Sequence, residues 1–175
     1  VVAVVNNPEI KPHARPTYEL TRNVFFVGFM VAGKTSTSRR LARQCGLATI
    51  DLDAYIERRE RRAINQIFAE QGEQAFRDME TQVLDEFAHK GLMLVSCGGG
   101  IVLREENRES LKNNGFVVYL QVTAEQAVER VGDVSTRPLF KNLETARQTI
   151  AGRLPMYEDV ASVSIDTVGK SINVV

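Results

Sequence analysis

The octapeptide Gly28-Phe29-Met30-Val31-Ala32-Gly33-Lys34-Thr35 follows directly on the apolar run Val24-Phe25-Phe26-Val27. It is a G-x-x-x-x-G-K-[ST] loop set between a strand and a helix, and few chain traces satisfy it. Glycines are needed where a backbone turns sharply and aims successive N–H groups at phosphate oxygens. The helix expected from Lys34 adds its N-terminal dipole to the same anion. Lys34 then reaches the β- and γ-phosphates, and the Thr35 hydroxyl ligates Mg²⁺. The competing reading is a glycine-containing turn with a chance lysine. The strand before it and the helix after it argue against that.

Beyond the loop the chain keeps alternating between strand and helix. A helix runs from Lys34 to about Gly46, where glycine suits the C-terminal cap. Ala48-Thr49-Ile50-Asp51 reads as a second short strand. Ile64, Ile67 and Phe68 then fall on one helical face, and Phe76, Met79, Val83 and Phe87 on another. Leu92 to Val95, Phe116 to Val122 and Val163 to Ile165 are the remaining apolar runs. Short continuous apolar strands separated by helices predict an α/β fold with a mainly parallel sheet. Ligands bind such sheets beyond the carboxyl ends of the strands, so the residues just after each run carry the chemistry.

Composition narrows the function classes. The 175 residues suit one domain, and 22 Lys plus Arg against 22 Asp plus Glu leave no net charge. A nucleic-acid binder usually shows a basic excess or a basic face. No run approaches the roughly 18 apolar residues of a membrane-spanning helix. Two cysteines make no disulfide framework, which makes a reducing cytosol the default, and two scattered histidines build no familiar zinc site. Pro8, Pro12 and Pro16 crowd the start of the chain, and residues 1–22 read as a tail or a linker from an upstream domain. The segment lacks the features of a signal peptide. Residues 23–175 form the domain, whose last residues, Ile172 to Val175, look like the opening of an element, as though a terminal helix were missing.

The other strand ends outline a small-molecule site. Asp51 and Asp53 close the second strand as D-L-D, and residues two apart on a strand share a face. One carboxylate could hold a Mg²⁺-bound water while the other orients or deprotonates an attacking hydroxyl. The plainer alternative makes them acidic caps of the next helix, and Asp53 alone suits that role. Gly98-Gly99-Gly100 closes the third strand, removing side chains where a ligand approaches; a flexible hinge is the competing reading. Arg77 and Glu80 stand at i and i+3, a pre-oriented fork for a carboxylate. From spacing alone an exposed ion pair is the better reading. Arg137, in the polar segment 132–139, could close over a nucleotide, and Arg153 is a second candidate arginine; either could be solvated surface.

The phosphate loop, D-L-D, G-E-Q-A-F-R-x-x-E, C-G-G-G, R-P-L and R-x-P-x-Y occur here in an order and spacing that resemble the shikimate kinases, over about Asn23 to Thr167. The resemblance implies a nucleoside-monophosphate-kinase-like fold, a five-stranded parallel sheet in the order 2-3-1-4-5 with helices on both faces and a lid loop. It also implies ATP-dependent phosphorylation of the 3-hydroxyl of shikimate, on the way to chorismate and the aromatic amino acids. By position, Asp53, Arg77, Gly99 and Arg153 would hold shikimate, with Gly98 and Gly100 beside them and Phe68, Phe76 and Glu80 shaping the pocket. Arg77 and Arg153 would grip the carboxylate, and Asp53 the ring hydroxyls. The nucleotide would lie on Gly28, Val31, Ala32, Gly33, Lys34, Thr35 and Ser36, with Arg130 stacked on adenine. Thr35, Asp51 and Ser96 would surround magnesium. Lys34, Asp53 and lid residue Arg137 would be the catalytic groups. The expected protein is a cytoplasmic monomer that binds neither nucleic acid nor membrane.

Three departures bear on nucleotide affinity. Val31 replaces a glycine common in the family's loop, which predicts a stiffer loop. Val168-Gly169-Lys170-Ser171 lacks a proline that some members use, and the C-terminal helix expected after Ile172 is absent. Two rival functions remain on sequence grounds. One is a related small-molecule kinase for gluconate or a nucleoside monophosphate. The other is a non-catalytic nucleotide-binding module.

Overall fold

The computed structural model describes residues 2–5, 17–131 and 143–170. Strands β3 (Asn23–Val27), β4 (Thr49–Asp51), β5 (Leu94–Ser96), β6 (Gly115–Gln121) and β7 (Val163–Asp166) form one sheet in the order β4-β5-β3-β6-β7. Every neighbouring pair is parallel. Counted along the chain as strands one to five, this is the expected order 2-3-1-4-5. Helices α1 (Lys34–Cys45), α2 (Leu52–Glu60), α3 (Ile64–Lys90), α4 (Glu105–Asn114), α5 (Ala124–Val131) and α6 (Leu143–Val160) make the connections.

Strand β3 is buried from end to end because both faces of the sheet are covered. Alternation sends Phe25 and Val27 into one core with Leu52, Ile56, Val83 and Tyr157. Val24 and Phe26 enter the other, against Ala42, Leu120 and Ala127. Each large side chain buried there contributes about 1.5–3 kcal/mol of transfer free energy. Asn23 pins the strand's start: its side chain donates to the Ala88 carbonyl at 2.9 Å and accepts from the Met93 N–H at 3.0 Å.

Helix α1 ends on Gly46 in the left-handed region (φ 69°), as the glycine there predicts. Helix α3 is broken at Gly72 (φ 84°, ψ 170°), which explains why its apolar residues fall on two faces. The break lets the Phe68 and Phe76 rings meet with centroids 5.0 Å apart. The third strand begins at Leu94 rather than Leu92, because Gly91 and Leu92 form the exposed exit from α3.

The N-terminal region holds a feature that its prolines conceal. Strand β1 (Val2–Val5) pairs antiparallel with β2 (Thr17–Leu20), from Val2 opposite Leu20 to Val5 opposite Thr17. The proline-rich stretch lies between them, outside the described residues.

Candidate active site

Three strand ends, those of β3, β4 and β5, converge on one cleft of about 560 Å³, walled by Lys34, Thr35, Asp51, Asp53, Ser96 and Gly99, among others. Its floor is the phosphate loop. Gly28 (φ 141°) passes so close to the Leu120 backbone that any Cβ would collide with the Leu120 carbonyl oxygen. Gly33 (φ 92°) opens α1 with no side-chain cap, so the first N–H groups of the helix face the cleft end of β3. Lys34 is buried, its Nζ donating to the Gly28 and Phe29 carbonyls at 2.8 Å each. Ala32 and Ser36 flank the same turn and line an adjoining pocket with Arg130, Thr167 and Lys170.

Val31 sits at φ 56°, in the left-handed region where a β-branched side chain crowds its own backbone. That geometry explains the preference for glycine at this position. It also locates the stiffness expected of the loop in one residue. The Val31 carbonyl accepts a hydrogen bond from Arg130 Nη1 at 3.3 Å. Arg130 is held further by Thr167, through Nη1 to Oγ1 at 3.4 Å and Nη2 to the carbonyl at 3.0 Å.

Thr35, Asp51 and Ser96 meet as expected. Thr35 Oγ1 donates to Asp51 Oδ2 at 2.5 Å and lies 3.2 Å from Ser96 Oγ. Two hydroxyls and a carboxylate are hard oxygen donors, a set that suits Mg²⁺ with its remaining positions left to phosphate and water.

The D-L-D pair corrects one expectation. The strand ends at Asp51, and Leu52 already begins α2, so the two carboxylates do not share the face of a strand. Asp51 is the capping residue, accepting from the Ala54 N–H at 3.0 Å. Asp53 lies in the first helical turn and reaches the cleft from there. Its Oδ1 is buried without a hydrogen-bond partner, as is Glu80 Oε1. Both oxygens lie 2.6 Å from where a Cβ on Gly98 would stand, so glycine is required between them. Burial, reinforced by Glu80 and Asp51 and opposed by Lys34 and Arg77, pushes the Asp53 carboxyl up to about 7. Burial also raises Glu80, against the pull of Arg77, Arg153 and Arg104.

The Arg77–Glu80 pair is not the exposed ion pair that spacing alone favours. Arg77 is 8% exposed and Glu80 1%. Arg77 Nη1 donates to Glu80 Oε2, and its other edge is gripped by Glu73 Oε1, at 2.8 Å from Nη2 and 3.2 Å from Nε. The guanidinium lies 5.4 Å over the Phe76 ring and against Gly100, where a Cβ would overlap it. Arg153, also buried, donates from Nη1 to the Gly99 carbonyl at 3.0 Å. Arg137 lies outside the described residues.

Sequence reasoning missed three participants. Glu73 doubles the carboxylate grip on Arg77, and its i, i+4 spacing was the available signal. Arg104 pairs with Asp78 at 2.5 Å and stands close enough to Glu80 to favour its ionised form. The Tyr157 hydroxyl donates to the same Gly99 carbonyl as Arg153, at 2.6 Å. Only the final tyrosine of R-x-P-x-Y hinted at it.

This arrangement can be set beside known proteins. The family model described as shikimate kinase matches residues 30–175. The chain belongs to the shikimate kinase family. A shikimate kinase of Actinobacillus succinogenes is 41% identical over 87% of this chain and 90% of its own length. One from Bacillus cytotoxicus is 40% identical over 86% and 92%. Among solved structures, shikimate kinase from Acinetobacter baumannii in complex with shikimate superposes with a TM-score of 0.82 at 36% identity, covering 86% of each chain. A gluconokinase from Sinorhizobium meliloti reaches a TM-score of only 0.53 at 19% identity over 87% of this chain and 85% of its own, a likeness of fold alone. Against this shikimate kinase background the described residues contain no helix long and apolar enough to cross a membrane.

Proposed function

We propose that this chain is an ATP-dependent kinase that phosphorylates the 3-hydroxyl of shikimate, through the residues assembled above. The observation that carries the reading is the pair of buried guanidiniums, Arg77 and Arg153, set on a glycine wall whose Gly99 packs against the phosphate loop at Met30. Two buried arginines, each already oriented by a protein acceptor, form a site for a planar carboxylate. Gluconate would supply a carboxylate too, but the gluconokinase likeness extends to the fold alone.

Phosphoryl transfer passes through a loose transition state with charge spread over the equatorial oxygens, so positioning and electrostatics dominate. The loop N–H groups and the N-terminus of α1 hold the phosphates as fixed dipoles. Lys34 Nζ, which now spans the Gly28 and Phe29 carbonyls, turns to the β- and γ-oxygens when nucleotide arrives. Thr35, Asp51 and Ser96 would hold Mg²⁺, which supplies further charge neutralisation when bound. Asp53 accepts a hydrogen bond from the attacking hydroxyl and orients it toward the γ-phosphate. Arg77 and Arg153 fix the other end of the ring by its carboxylate, while Phe68 and Phe76 cover its apolar face and Glu80 holds Arg77 in place. Arg130 packs on the adenine side, and Arg137 would neutralise charge on the transferring phosphoryl group. Excluding water matters because water competes as nucleophile.

An ADP-release assay with shikimate, gluconate and a nucleoside monophosphate as acceptors tests the reading. Shikimate alone should give turnover, and Lys34→Ala should abolish it in a folded protein. Nucleotide binding with no turnover on any acceptor would leave a non-catalytic module instead.

A further inference from the structure

A second cavity, of about 600 Å³, opens between α1 and the connection from α2 to α3. It shares Arg39, Asp51, Ala54 and Glu57 with the cleft, but Asp53 and the phosphate loop do not line it. Ala54, Arg58 and Arg61 reach it from positions four and three apart, one face at the end of α2. Arg39 faces them from α1.

Two features mark this cavity, whose Arg39, Arg58 and Arg61 are all exposed to solvent. Its two carboxylates are already committed to the backbone and to Thr35. Glu57 Oε1 accepts from the Ile64 N–H at 3.0 Å, and Asp51 is taken by Thr35 and the Ala54 N–H. Its arginines are mostly uncommitted. Arg62 is engaged by Glu60 and Glu70, whereas the side chains of Arg39, Arg58 and Arg61 make no hydrogen bond or ion pair with any described residue. Arg61 ends α2 as its left-handed cap at φ 53°, its N–H donating to the Glu57 carbonyl.

We propose that this cavity is an anion site, adjoining the substrate cleft, that takes a metabolite-sized oxyanion bearing two or more charges. Three guanidinium forks facing one cavity match phosphate and carboxylate oxygens, and the volume lies within the range of small-molecule sites. Arg58 and Arg61 line this cavity and not the cleft, so the site does not depend on the acceptor of the kinase reaction.

Calorimetric titration of the full chain tests it, with ADP and Mg²⁺ saturating so that the phosphate loop is filled. The probes are 3-phosphoglycerate and, as the phosphate-free arm, tricarballylate. One equivalent of at least one probe should bind, and Arg58→Gln/Arg61→Gln should weaken it by about tenfold or more, as expected for two lost charge-assisted contacts. Basal turnover should not change, since neither residue belongs to the cleft. If the double variant fails to fold, Arg58→Gln and Arg61→Gly carry the same comparison singly, glycine being at ease at φ 53°. Absence of binding by both probes would overturn the proposal, as would binding that the variants leave intact.

Discussion

The Tyr157 hydroxyl and the Gly99 carbonyl oxygen lie 2.6 Å apart, and that same oxygen accepts Arg153 Nη1 at 3.0 Å. One backbone acceptor therefore sets the position of the buried Arg153 and is itself held by a fully buried phenol. Tyr157 is further fixed by stacking on Tyr119, with ring centroids 5.0 Å apart and planes 18° from parallel. Tyr157 is thus a positioning residue for the glycine wall. Tyr157→Phe keeps the stack and removes only the hydroxyl, leaving the carbonyl one donor short at a cost of about 0.5–1.5 kcal/mol. The Michaelis constant for shikimate should rise several-fold while that for ATP stays put. Equal changes in both constants would point to a general loss of structure instead.

Arg77 and Arg153 should each matter chiefly to the acceptor. Losing a hydrogen bond to a charged partner costs about 1.5–3 kcal/mol, so Arg77→Ala and Arg153→Ala should each weaken shikimate by roughly ten- to a hundredfold. Nucleotide binding without shikimate should stay nearly unchanged. Arg77→Lys should rescue little, because an ammonium cannot replace the fork that grips Glu80 and Glu73 at once. Steady-state kinetics on the three variants decide it. An unchanged constant for shikimate in both alanine variants would remove the carboxylate clamp.

Val31→Gly should be nearly neutral for stability. Glycine relieves a left-handed strain of about 1–2 kcal/mol but adds about 0.5–1 kcal/mol of backbone entropy to the unfolded chain. Thermal melts of the two proteins should agree within a few degrees, and the Michaelis constant for ATP should move only modestly. A gain in turnover by orders of magnitude would show that Val31 cripples the loop.

The Asp53 carboxyl, raised by burial to about 7 from an ordinary 3.8, gives the protein a pH signature. Between those values the folded chain keeps a proton that the unfolded chain has lost, so stability falls as the pH rises and levels off above about 7. Asp53→Asn lacks that proton. It should gain on the parent by up to a few kcal/mol as the pH climbs through this window, read by denaturant unfolding at several pH values. A constant difference between the two proteins across the window would contradict the burial assigned to this carboxyl. In the parent, kcat/KM for shikimate should decline below about pH 7, where the free enzyme's Asp53 is protonated.

The phosphate loop and the parallel character of the sheet were legible in the residues themselves, because they rest on short-range chemistry, whereas the strand order came only from the family resemblance. Glycines sit where the backbone must turn, apolar runs where a strand is covered twice, and a lysine and a threonine at the opening of a helix. The aligned motifs likewise named Asp53, Arg77, Gly99 and Arg153. What the sequence could not decide depends on neighbours distant along the chain. Spacing places Arg77 beside Glu80, yet whether that pair is solvated or buried rests on Phe76 and Gly100 closing over it. D-L-D reads as one extended face, but the backbone turns helical after Asp51, so one aspartate caps and the other enters the cleft. Tyr157 is 58 residues from Gly99, and only the packing of α6 against the sheet brings its hydroxyl to that carbonyl. Local sequence determined which groups this protein carries. Tertiary structure decided which of them are desolvated, and desolvation turns an ordinary arginine or aspartate into a binding or titrating group, because a buried charge must find its partner within the protein.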